Sequence, residues 1–209
     1  MNVPIKLIPV FLALCSAPLF AADAPKAKVL DKLDSIDPKT NKAIDLKAKA
    51  VPTSDPQHRK AMELFGDFSK PNTWPRYEKM FPVGTLNAKK YSGFRFHAKT
   101  DNETKMFVHI SGEGPGPEGR PLDCTARVTL TNVWTEFVIP FSEFKYYEVK
   151  QFKNGEQKIY PGGVPIADVE LALIKSFGFG FSIEGRGNDT TAKALVDGLE
   201  LVEKKNPTE

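Results

Sequence analysis

The 209-residue sequence predicts an all-β protein built as an antiparallel β-sandwich, on three observations. Fifteen Phe and 17 Pro stand against four Met, with 15 Gly, a balance that favours short strands punctuated by turns over a helical bundle. From Ala61 onward apolar and polar residues alternate with a period of two, and no strand–helix–strand rhythm or internal repeat interrupts them. The hydrophobic fraction of 41% and the charged fraction of 26% are those of a globular chain and exclude a wholly disordered or collagen-like one. A formal net charge of +3 is too small to require nucleic acid as a partner.

The elements follow in chain order. Residues 1–21 read as an export signal, with a charge at Lys6, an apolar run from Leu7 to Leu14, and small residues leading to cleavage after Ala21. The run is too short to span a bilayer, so the mature chain is expected in the periplasm or secreted and not membrane-spanning. Leu14 stands where a lipoprotein motif wants a small residue, which argues against anchoring through Cys15. Residues 22–60 carry nine Lys or Arg and six Asp, with Pro25, Pro38, Pro52 and Pro56 and no aromatic residue. That composition predicts a flexible linker, with short helical turns at Lys26 to Leu33 and Ala43 to Ala50.

Residues 61–209 are expected to form the sandwich. The alternating runs Tyr91 to Lys99 and Lys105 to Ile110, joined by the polar loop Thr100 to Thr104, predict a hairpin. Its register would set His97 opposite Phe107 and Arg95 opposite His109. Further strands are expected at Cys124 to Thr131, Trp134 to Ile139, Phe177 to Ile183 and Leu195 to Val202. Cys124 has core parity with Ala126, Val128 and Leu130, which suits a lone thiol. In the penultimate strand Phe177, Phe179 and Phe181 point inward, while Gly178 and Gly180 leave the other face bare. Trp74 and Trp134 are read as core residues. Tyr146, Tyr147 and Tyr160 flank an insertion from Lys145 to Ala167 whose Asn154-Gly155 pair predicts a hairpin.

Four strings carry a family resemblance: Tyr91-Ser-Gly-Phe-Arg-Phe-His-Ala-Lys99, Trp134-Thr-Glu-Phe-Val-Ile-Pro-Phe-Ser-Glu-Phe144, Ile174-Lys-Ser-Phe-Gly-Phe-Gly-Phe181 and Leu195-Val-Asp-Gly-Leu-Glu-Leu201. Their order and spacing over most of residues 61–209 resemble the galactose-binding-like jelly roll, and more narrowly the family 11 carbohydrate-binding modules and the complex I intermediate-associated protein domain. The resemblance implies non-catalytic binding of a polysaccharide or oligosaccharide. Its second branch implies a protein-interaction or assembly module, and a divergent glycoside hydrolase or polysaccharide lyase is a third reading. It also implies a structural calcium held by Asp197 against the first strand, with Glu63 or Asp67 contributing hard oxygen ligands. Gly66-Asp67 departs from the acidic doublet usual there.

Glycan recognition needs polar side chains that bond hydroxyls and an aromatic face for the sugar's CH surface. Arg95, His97, Phe107, His109 and Arg127 share the outward parity and supply both, so they form the expected ligand-binding row; Thr125, Thr129 and Glu184 share that parity. Phe107 stands out, because a large apolar residue at such a position needs a cover or a ligand. No catalytic residue is assigned: the sequence has no Gly-x-Ser-x-Gly elbow and no His-Glu-x-x-His helix, and His97 and His109 alone are too few for zinc. Gly114-Pro-Gly-Pro-Glu-Gly119 spells a dinucleotide motif, but its prolines make it a loop.

Overall fold

The period-two segments assemble into two six-stranded antiparallel sheets with a shared core, together with a two-stranded ribbon. The computed structural model describes residues 26–69, 74–116, 119–153, 156–181 and 190–204. The N-terminal part contributes β1 (Ala27–Asp31), β2 (Asn41–Ile44), β3 (Leu46–Pro52), β4 (Lys60–Asp67) and β5 (Arg76–Met80). The middle supplies β6 (Tyr91–Lys99), β7 (Thr104–Pro115), β8 (Pro121–Leu130), β9 (Thr135–Pro140) and β10 (Lys145–Tyr146). After these come β11 (Val149–Lys153), β12 (Glu156–Tyr160), a one-turn helix α1 (Asp168–Leu171), β13 (Ile174–Phe181) and β14 (Thr191–Glu203). Sheet one has the order β3-β4-β14-β6-β9, with β1 also on β14; sheet two runs β10-β8-β7-β13-β5-β2. No helix among the described residues is long and apolar enough to cross a membrane.

Alternation decides which side chains fill the gap between the sheets. Phe94 and Phe96 of β6 meet Phe177 and Phe179 of β13, with ring centroids 4.4 Å apart for Phe94–Phe177 and 5.0 Å for Phe96–Phe179. Met106, Val108 and Ile110 of β7 and Cys124 of β8 are fully buried in the same core. The Cys124 thiol is pushed up to about 12, first by burial and then by the neighbouring Asp123 carboxylate.

Two expectations are corrected here. The segment 22–60 is not a flexible linker over its described part: β1 and β3 extend sheet one, and β2 extends sheet two. These residues need no core of their own, because Leu33 is fully buried in the existing one, while Leu30, Leu46 and Ala48 pack against it. Lys79 Nζ reaches Asp31 Oδ2 at 2.8 Å, and Asn41 donates to the Tyr77 hydroxyl. The expected helical turns are strands, since ladder pairing outweighs the modest helix preference of Ala and Lys. Asp45 sits between β2 and β3 at a φ of 50°, a left-handed conformation that Asp tolerates, at the point where the chain crosses from one sheet to the other.

The second correction concerns the hairpin. β6 pairs with β14 and β9, whereas β7 pairs with β8 and β13, so their connecting loop crosses between the sheets. Alternation identifies an inward face but not a partner. The antiparallel β11–β12 ribbon is the expected hairpin of the insertion; its Asn154-Gly155 turn lies outside the described residues, as do the export signal, Cys15 and Glu184.

Candidate functional site

The outward parity of sheet two builds a continuous face. Register aligns Lys42, Glu78, Gly178, His109, Thr125 and Lys145 in one row across all six strands. The next row holds Arg76, Gly180, Phe107 and Arg127, and on the other side lie Ser176, Ser111 and Asp123. Because Gly178 has no side chain, the Glu78 and His109 side chains approach each other across it. Glu78 Oε1 accepts from Arg76 Nε at 2.7 Å, and His109 Nε2 closes on Asp123 Oδ1. The Tyr147 hydroxyl donates to Asp123 Oδ2 at 2.6 Å, and partial burial, followed by that carboxylate, raises its pKa well above the ordinary tyrosine value. A polar track thus runs from Arg76 to Tyr147. Its buried centre, His109 Nδ1, lies 3.9 Å from Glu78 Oε1 and has no hydrogen-bond partner among the described residues.

Aromatic surface borders the track. Phe107 lies over Gly180, where a Cβ would overlap its ring, so the expected clearance above that glycine is filled. Trp74 covers Phe107 at a centroid distance of 6.0 Å and is itself 62% exposed, which corrects its assignment to the core. Tyr146 and Tyr160 are buried, with Arg120 over both rings, so only Tyr147 of that trio is exposed.

The five expected ligand residues divide. Phe107, His109 and Arg127 belong to this face, but Arg95 and His97 lie on the outer side of sheet one, because β6 and β7 are not a hairpin. There Arg95 is committed to Glu200, with Nε 2.7 Å and Nη2 2.5 Å from Oε2. His97 Nε2 is 3.7 Å from Glu136, and its ring lies 4.8 Å from that of His58. His58 is buried, stacks on Trp134 at 4.3 Å and contacts Asp197 Oδ2 through Nδ1 at 2.8 Å. His58, His97, Trp134 and Glu136 border a pocket of ≈ 570 Å³.

The calcium ligands do not fit as a set. Glu63 is held by Lys49 at 2.9 Å and Lys193 at 3.0 Å, Asp197 by His58, and Asp67 accepts from the Ser69 amide at 2.9 Å. Among the described residues no three His, Cys, Asp or Glu converge as metal ligands. Sequence reasoning missed Arg76, Glu78 and Asp123, read Trp74 as core, and named Tyr147 only among the tyrosines that flank the insertion. Arg76 and Glu78 are two residues apart and share a face, so a strand assignment at Arg76 to Met80 would have found both, and starting the Cys124 strand one residue earlier would have added Asp123, which has the parity of Thr125 and Arg127.

No family sequence model matches the chain, and none of the curated proteins does. Solved structures share its fold. A family 11 carbohydrate-binding module of the cellulosomal cellulase Lic26A-Cel5E of Clostridium thermocellum superposes with a TM-score of 0.60 at 17% identity, covering 89% of this chain and 99% of that one. The Clostridium thermocellum family 11 module in complex with a β-1,3-1,4-mixed-linked tetrasaccharide gives 0.59 at 17% identity, over 87% and 97%. The agarase AgWH50C gives 0.54 at 14% identity over 86% of this chain, which corresponds to 26% of the agarase. The β-sandwich fold is therefore that of these modules.

Proposed function

We propose that this protein is an exported, non-catalytic module that binds a glycan chain across the outer face of sheet two. The observation that carries the reading is the polar track from Arg76 to Tyr147 beside the Trp74–Phe107 aromatic border, with Arg76, Glu78, Phe107, His109 and Asp123 on strands of sheet two and Trp74 and Tyr147 on the segments next to them. The aromatic surface suits the CH face of a pyranose, and the track offers charge-assisted donors and acceptors to its hydroxyls. The tetrasaccharide-bound module of the same fold and nearly the same extent supports the choice of ligand class.

A glycan array followed by calorimetry tests the reading. With the ligand so identified, Trp74→Ala and Arg76→Ala each lower affinity roughly tenfold, and Arg95→Ala leaves it unchanged. Unchanged affinity in both folded sheet-two variants overturns the assignment. Export rests on residues 1–21, and a mature N-terminus at Ala22 is the expected result of sequencing the native protein.

A further inference from the structure

The pocket at the edge of sheet one faces away from the proposed glycan platform. Its walls come from the turn between β3 and β4, which supplies Asp55 and Gln57, and from the turn between β8 and β9, which supplies Asn132 and Val133. Its volume of ≈ 570 Å³ falls in the range of small-molecule sites. One wall is fixed before any ligand arrives. His58 is clamped between Trp134 and Asp197, its amide and that of Gln57 donate to Asp55 Oδ1 at 3.3 and 2.8 Å, and Lys99 Nζ sits 5.5 Å over the Trp134 ring. A preorganised wall lowers the ordering cost of binding.

The lining chemistry selects the ligand class. The side-chain amides of Gln57 and Asn132 engage no other group among the described residues, and each can donate and accept. Lys99 adds a donor and Glu136 an acceptor on the same rim, while Val133, 61% exposed, adds a small apolar surface. Donors interleaved with acceptors suit hydroxyl groups, which serve as both. An anionic ligand would meet Asp55 and Glu136, and a cationic one would meet Lys99. We infer that this pocket is a second binding site, distinct from the platform, that takes a neutral mono- or disaccharide. The inference does not depend on the platform reading.

The chain has two tryptophans, one at each site, so Trp74→Phe leaves Trp134 as the sole indole reporter. The full chain carrying that substitution is titrated with D-glucose, D-galactose, D-mannose, D-xylose, cellobiose and lactose, and with D-galacturonate and D-glucosamine as charged probes. At least one neutral sugar is expected to change Trp134 emission saturably. Adding Gln57→Ala and Asn132→Ala, at exposed turn positions, weakens that sugar about tenfold or more. Adding Arg76→Ala on the opposite face leaves it unchanged. The inference is overturned if no neutral sugar saturates, if the double alanine variant binds as before, or if a charged probe binds tighter than its neutral parent. Platform binding is followed separately by calorimetry on the wild-type chain, so each reading stands or fails alone.

Discussion

Gly180 shows how one missing side chain organises a face. The Phe107 ring occupies the space a Cβ would need, and Trp74 then rests on Phe107. Gly180→Ala must displace that ring at a cost of about 1–3 kcal/mol. The expected outcome is a lower unfolding midpoint together with weaker glycan binding, measured by urea denaturation and calorimetry on one preparation. Cys124 offers an independent check of the core. Fully buried and with its thiol held near 12, it should not react with a thiol reagent in the native protein and should react once urea unfolds the chain. Phe107 was legible as an anomaly of parity, and Cys124 as a core residue. Trp74 was not, because a tryptophan beside Pro75 shows no alternation that would reveal it as a cover.

Among the elements, the N-terminal strands carry the least expected energetics. Leu33, on the stretch after β1, is fully buried, and β3 closes one edge of sheet one. Removing residues 22–59 should therefore cost several kcal/mol and lower the thermal midpoint by about 10 °C or more, as calorimetry of the truncated chain would record. A midpoint close to wild type would return this stretch to the status of a linker. Its strand character was hidden because Ala, Lys and Asp read as helix or coil until a neighbouring strand supplies the ladder. Glu63 of β4 ties β3 to β14 through Lys49 and Lys193. Burial pushes its carboxyl up, but the two ammonium groups outweigh that and hold it below its ordinary value of 4.5. The folded value is the lower one, so the contribution is complete above about pH 4.5 and disappears as pH falls through the folded value. Glu63→Gln should cost about 0.5–1 kcal/mol at pH 7, with the difference from wild type vanishing in acid, read from urea midpoints across pH.

For the molecule as a whole, the sandwich presents two outer faces of different shape, an open platform on sheet two and a pocket on sheet one. Arg95→Ala separates them from stability. It removes the paired bonds to Glu200 and should lower the thermal midpoint without changing platform affinity. The fold class was legible because alternation and aromatic content point to sheets, and the four strings resembling family 11 modules fall on β6, β9, β13 and β14. The division of strands between sheets was not, since each sheet has one apolar face and the pattern is the same for both. That is why Arg95 and His97, two of the five expected ligand residues, lie on the other sheet from Phe107, His109 and Arg127. The pairing of Ala27 with Val202 has a mechanical consequence. The two ends of the described chain leave from the same end of the β1–β14 ladder, so tension applied between them meets that ladder one rung at a time instead of loading its bonds together in shear. Under load the module should yield first by peeling β1, and drawing Leu33 from the core is the next step.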